Sequence, residues 1–474
     1  MAERSAEAPT SGTYDGPVPG PLTSSRRRAR RGWGVGAVVL GLVGSLALVG
    51  CSTGTDAAGS GPAPAAPSAG LTGSAAGGPA GGPTAVATAV TTALQDLLRR
   101  RAAAVVQGDA AAFAGTVADP SGAGGRRQLA SYDAARALRV SRLEVREPTV
   151  QLAAPASAGP ATAAPRARAE VDLRYRVDDL DRADRVARLQ YDLVRSGEGW
   201  RVVSERPVGP GATAPWVAMP TLRVERGRHG VVAGTVPAKR LTEHVGVVDR
   251  ALPGLRARWD GAPDRVLVLA PSTRAEDDLL LGRTSSPGRS PVAASTEGPT
   301  DATGRATGDR VVLDPAAFER LTESGRDVVL THELAHVAVR STVAGRPAAW
   351  LAEGYADHVG YARADVPTHR LLGPLLTAVR TEHGPRALPT ASEMQPTGGD
   401  IEVPYLAAWQ AVELVADRYG EDALRRLVRA GASTGSDADA EAATNRALET
   451  VLGTTAARLT HDWLARLDRH ATAG

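Results

Sequence analysis

Residues 326–339 read Arg-Asp-Val-Val-Leu-Thr-His-Glu-Leu-Ala-His-Val-Ala-Val, and residues 350–357 read Trp-Leu-Ala-Glu-Gly-Tyr-Ala-Asp. His332 and His336, at i and i+4, lie on one face of a helix, so both imidazoles can reach one metal ion. The run around them is apolar on most sides, which suits a helix buried in a core. Polar side chains on such a helix cost free energy unless they are paired or hold a metal. Glu353, on a second helix expected near 348–361, offers a carboxylate as third ligand. Three protein ligands leave the fourth position of a tetrahedral zinc site open for water or a substrate carbonyl. Glu333 stands one residue past the first histidine, placed to take a proton from that water rather than to bind the metal.

The second helix carries its own spacing. Glu353 and Asp357 are again i and i+4, so a ligating Glu353 brings Asp357 within reach of an imidazole N–H, the usual acceptor behind a ligating histidine. Gly354 is expected to let the two helices approach closely. His358 diverges from this face and is expected at the surface, not as a ligand.

With those residues in view, Thr331-His-Glu-Leu-Ala-His336 followed by Trp350 to Asp357 resembles the gluzincin zinc metallopeptidases. The bacterial peptidase MA-like group is the nearest in pattern, with thermolysin and the zinc aminopeptidases more distant. The resemblance runs over roughly residues 240–470 and implies hydrolysis of a peptide or protein substrate with Zn2+ as cofactor. It implies His332, His336 and Glu353 as ligands, Glu333 as general base and Asp357 as the acceptor behind a ligand. It also implies an edge strand that holds an extended peptide beside the zinc. Arg310-Val-Val-Leu-Asp314, ended by Pro315, matches that strand in pattern. A tyrosine on a later helix stabilises the oxyanion in such enzymes, and Tyr405 in Val403-Pro-Tyr-Leu-Ala-Ala-Trp409 stands in a comparable place at a helix start. The chain departs from the aminopeptidases in lacking a Gly-Ala-Met-Glu-Asn-type signature, so N-terminal trimming is not implied. Two other classes remain open: a binding lipoprotein whose peptidase fold has lost turnover, and a zinc amidase acting on cell-wall peptides. The intact Glu333 argues against the first.

The N-terminal region sets the expected compartment. Arg26, Arg27, Arg28, Arg30 and Arg31 precede an apolar run over 33–50, and Leu48-Val49-Gly50-Cys51 resembles a bacterial lipobox. Small residues before Cys51 permit cleavage there, and the thiol would then accept a diacylglyceryl group. An uncleaved anchor is the alternative, although so short and glycine-rich a run barely spans a bilayer. Either way the membrane is a partner, and the body lies outside the cytoplasmic membrane. Cys51 is the only cysteine, so the body folds without disulfides, as a chain of this size can. Residues 52–84 are Gly, Ala, Pro, Ser and Thr apart from Leu71 and one charge, Asp56, and read as a flexible linker. A net charge of +3 on 474 residues, with no basic patch interleaved with aromatics, argues against nucleic acid. Oligomeric state is not set by the sequence.

The fold expected is α+β. Residues 85–207 read as a small domain with a helix over 85–106, which carries Leu94, Leu97, Leu98 and Val105 on one side. A second helix is capped by Asp109. Strands over 138–145, 167–177, 186–194 and 200–204 follow. Two helices before a curved antiparallel sheet resemble, in pattern only, the cone of nuclear transport factor two. No titratable cluster marks a site there, so a spacer or recognition role is expected. After a Pro-rich joint, 208–239, residues 240–474 read as the zinc peptidase-like domain. It is expected to hold a helix over 241–252, a buried strand over 265–270, a strand over 291–296 and the two zinc helices. Helices over 369–383, 405–419, 421–430, 441–451 and 455–469 complete it. This gives a mixed sheet packed on the first zinc helix, with a helical C-terminal lobe across the cleft. His229, His244, His369, His383, His461 and His470 lack paired spacing and are expected at the surface.

Overall fold

The computed structural model describes residues 83–152, 164–209, 211–283, 293–362, 364, 367–395 and 401–472. The arginine cluster, the apolar run, Cys51 and residues 52–82 lie outside them. Among the described residues no helix is long and apolar enough to cross a membrane.

Helices α1 (Pro83–Gln107), α2 (Ala110–Ala114) and α3 (Ala123–Ala137) precede strands β1 (Val140–Leu152), β2 (Arg166–Val177), β3 (Arg185–Ser196) and β4 (Gly199–Pro207). The strands form one antiparallel sheet in that order. Leu94, Leu97, Leu98 and Val105 are all buried, as their helical spacing predicts. Asp109 caps α2, its carboxylate accepting from the Ala112 amide at 2.8 Å. On β2, Ala167, Ala169, Val171, Leu173 and Tyr175 point inward, while Arg166, Arg168, Asp172 and Arg174 are exposed. Helix α3 was not expected. Its sequence, Ala-Gly-Gly-Arg-Arg-Gln-Leu-Ala-Ser-Tyr-Asp-Ala-Ala-Arg-Ala, lacks a broad apolar stripe and buries small residues and Tyr132 instead.

The segment expected as a joint carries structure of its own: α4 (Pro215–Ala218), β5 (Arg223–Arg226) and β6 (Gly230–Gly234). Next come α5 (Ala238–Arg258), β7 (Val266–Ala270), α6 (Arg274–Leu280), β8 (Ala294–Glu297), β9 (Arg310–Leu313) and α7 (Glu323–Thr342). The remainder is helical: α8 (Ala349–Tyr361), α9 (Thr368–Leu371), α10 (Gly373–Arg380), α11 (Glu402–Tyr419), α12 (Glu421–Ala430), α13 (Asp437–Leu452) and α14 (Ala456–Thr472). The second sheet has the order β5-β6-β7-β9-β8, with β6, β7 and β9 parallel and antiparallel strands at both edges. The described residues are therefore α+β, with one antiparallel and one mixed sheet.

That mixed sheet is buried on both faces, which is why β6, β7 and β9 read as continuous apolar runs. Val232, Val266, Val268, Val311 and Leu313 join one core with α5 and α7. Their neighbours Val231, Ala233, Leu267, Leu269 and Val312 join the other core, with Trp216, Met219 and Tyr175. Side chains alternate across a strand, so one sheet serves two cores and residues 83–207 pack on it through α4.

The pairing corrects one expectation. Arg310–Leu313 is not an edge strand, because β9 pairs with β7 on one side and β8 on the other. The edge on that side is β8. Neither Ala-Ser-Thr-Glu of β8 nor Arg-Val-Val-Leu of β9 carries its place in the sheet within its sequence; only the pairing shows which lies outside.

Candidate metal centre

Thr322 opens α7, its hydroxyl accepting from the Gly325 amide at 3.0 Å. The helix then runs through the core, so His332, Glu333 and His336 are all buried. Helix α8 crosses it and brings Glu353 and Asp357, also buried. Gly360 makes this crossing close: a Cβ there would lie 3.0 Å from the Val328 carbonyl and 3.4 Å from His332 Cβ. Gly354, expected to serve the same approach, faces α11 instead, where a Cβ would lie 2.5 Å from the Ala408 carbonyl. A residue next to the ligand points away from the α7 side, so its space is needed by the next helix along.

His332 Nε2 and His336 Nε2 are 3.0 Å apart. Glu353 Oε2 lies 3.3 Å from the first and 3.2 Å from the second. Asp357 Oδ1 lies 2.8 Å from His332 Nδ1, so that nitrogen donates its proton to the carboxylate and Nε2 is the ring atom left to face a metal. The three converging atoms fit one face of a tetrahedron whose centre is about 2.0–2.1 Å from each, because such a face has edges of about 3.3 Å. Two imidazole nitrogens and a carboxylate oxygen are also the donor set that borderline zinc prefers. The residues present therefore fit a zinc ion.

The electrostatics favour a cation. Burial opposes charge on the His332 imidazole, but Asp357 and Glu353 outweigh it and lift its pKa to about 10. Burial alone would raise the Glu353 carboxyl, yet His336 and His332 hold it well below the ordinary carboxylate range. Burial raises Asp357. The negative potential that holds a proton on His332 is the potential a divalent cation would meet.

Two further groups touch this cluster. Tyr405, in the first turn of α11, is buried with its hydroxyl in hydrogen-bonding reach of Glu353. Burial, with Glu353, Asp357 and Glu333 nearby, pushes its pKa well above the usual value, so it stays a neutral donor. The sequence reading missed the other, Thr296 on β8, whose Oγ1 donates to Glu333 Oε2 at 2.7 Å. Nothing local in the sequence marks this contact between a strand and a helix far along the chain.

Two histidines expected at the surface are buried. His358 bridges Glu413 and Glu421 at 2.8 Å each, because α11 and α12 cover the face of α8 turned away from the metal ligands. Burial opposes its charge, but Glu413 and then Glu421 outweigh it and raise its pKa. His244 packs edge-on against Phe318 at 5.3 Å, and burial lowers its pKa to about 4. Neither joins the ligand cluster. The front region also holds a polar cluster that the sequence did not reveal. Arg101 donates to Thr116 Oγ1 at 2.9 Å and to Glu205 at 3.0 Å, and it stacks on Phe113 at 4.0 Å. Burial raises the nearby Tyr191 phenol.

No family model matches the chain, and no curated protein matches it. One solved structure found by comparison is described as a protein of unknown function from Mycobacterium tuberculosis. It is 16% identical, with 30% of this chain and 82% of that chain covered and a TM-score of 0.21. A likeness at that score carries no weight for fold or function.

Proposed function

We propose that the chain is a zinc metallopeptidase of gluzincin type, hydrolysing peptide bonds in a peptide or protein substrate. The observation that carries this reading is the convergence of His332 Nε2, His336 Nε2 and Glu353 Oε2 within 3.0–3.3 Å, with Asp357 bonded behind His332. In this reading the mixed sheet on α7 and the helical lobe after it are the two halves of a peptidase domain. The lipobox-like Leu48-Val49-Gly50-Cys51 tethers the body to the outer face of the cytoplasmic membrane.

A zinc ion bound by those three atoms supplies a Lewis acid for the scissile carbonyl and lowers the pKa of a water to about 7. The protein's own groups do the rest. Asp357 fixes the His332 tautomer through the Nδ1 proton. Thr296 holds one oxygen of the Glu333 carboxylate, and the other takes a proton from water and returns it to the leaving amine. Tyr405, kept protonated by burial, donates to the oxyanion as it forms. The edge of β8 turned away from β9 receives the extended substrate as an added strand.

Glu333→Gln tests the reading. With zinc content unchanged, turnover of fluorescein-labelled casein should fall by about 10²–10⁴-fold. Full activity in the Gln variant would remove Glu333 from its role as base.

A further inference from the structure

The loop 298–309, between β8 and β9, is gripped from two sides. From α7, Arg340 donates to Asp309 at 2.7 Å and to the Gly298 carbonyl at 3.3 Å, while its own carbonyl accepts from the Ala306 amide at 2.9 Å. From the front region, the turn joining β2 to β3 supplies Asp181 and Arg182, and the first residue of β3 supplies Arg185. Arg185 meets Glu297 at 2.6 Å and the Gly308 carbonyl at 2.7 Å. The Arg182 amide donates to the Thr307 carbonyl at 2.6 Å, and Arg310 pairs with Asp181 at 3.0 Å.

These contacts are built into the interior. The side chains of Arg310 and Asp181 are each 2% exposed and that of Arg185 is 6% exposed. Charges so deeply buried persist only where a partner is fixed opposite them. Gly308 has φ +151 and lies so close to the turn that a Cβ would stand 3.0 Å from Asp181 Cα. What the grip holds is the end of β8. Glu297 is its last residue, and Thr296, one position before, donates to Glu333. Neighbours on a strand face opposite ways. One strand end thus carries the front region's tether on one face and the contact to Glu333 on the other.

We propose that residues 83–207 are a working part of the hydrolytic site: through Arg185 they fix β8 so that Thr296 orients the Glu333 carboxylate. Arg185 and Thr296 are positioning residues, and the proposal rests on the reading of Glu333 as the base. It extends that reading by making the front region necessary for turnover.

The test uses the full chain, zinc-loaded, with hydrogen exchange and casein turnover measured side by side. In Arg185→Gln the β8 amides should exchange about tenfold faster while those of α11 keep their protection. Should that variant fail to fold, Glu297→Gln removes the same pair from a side chain that is 23% exposed. Thr296→Val should lower kcat about tenfold with KM unchanged, and Thr296→Ser, which keeps the hydroxyl, should restore it. Unchanged β8 exchange in both tether variants, or full kcat in Thr296→Val, overturns the proposal while an active wild type leaves the peptidase reading intact. A zinc-loaded wild type without turnover removes the peptidase reading and the proposal with it. The exchange data then still report whether the tether exists.

Discussion

Two of the polar clusters buried among the described residues are built on opposite plans. In the front region Arg101 finds an acceptor for each end of its guanidinium, Thr116 and Glu205, and a ring beneath it, Phe113. Every charge there meets its complement within the chain. At the crossing of α7 and α8, His332 Nε2, His336 Nε2 and Glu353 Oε2 converge within 3.0–3.3 Å on one point, and the polar partners stand behind them. Burial of charge is common to both. Convergence of acceptors is what separates a cluster that could hold a cation from one that completes itself.

This contrast can be broken from either side. The largest effect on stability should come from the self-complete cluster. Arg101→Met leaves Glu205, its side chain 10% exposed, without its partner and should cost about 3–5 kcal/mol. Denaturant unfolding would measure that loss, and metal content should not change. At the metal centre the order reverses. Asp357→Asn keeps the packing but replaces the charged acceptor behind His332 with a neutral, weaker amide, so zinc affinity should fall about 10–100-fold with little loss of stability. Competition with a chromogenic chelator reads that shift. Equal zinc affinity in the Asn variant would show Asp357 to be a packing group.

A smaller effect belongs to His358, which lies outside both clusters between Glu413 and Glu421. Its folded pKa lies above the ordinary 6.5 because Glu413 and Glu421 flank it. A raised folded pKa contributes stability that is fully present below about 6.5 and is lost as pH rises through the folded value. Between about pH 6 and about pH 9 the wild type should lose more thermal stability than His358→Gln, measured by calorimetry. A parallel decline in the two proteins would mean the bridge carries no linked proton.

How much of this was legible follows from how far apart in sequence each contact lies. Helical spacing pairs His332 with His336 and Glu353 with Asp357, because i and i+4 place side chains on one face wherever the helix lies, whereas Glu333 is read from its place beside the first histidine. Tyr405 came only through the resemblance, yet the structure brings it to Glu353. Thr296 was illegible, since its partner Glu333 is reached only after β9 has paired beside it. The same pairing explains why Arg310–Leu313 was mistaken for an edge. His358 was misplaced because spacing shows which face meets the metal ligands but not what covers the opposite one. Residues 208–239 looked like a joint because prolines surround two short strands, and only the pairing of β5 with β6 and of β6 with β7 makes them part of the sheet.

The measurement that bears most directly on the metal centre is the zinc content of the purified full chain, by elemental mass spectrometry, beside His336→Ala. The three converging donors predict about one zinc per chain in the wild type and none held by the variant. A wild type that takes up no zinc on reconstitution, or a variant that holds as much, would contradict the site.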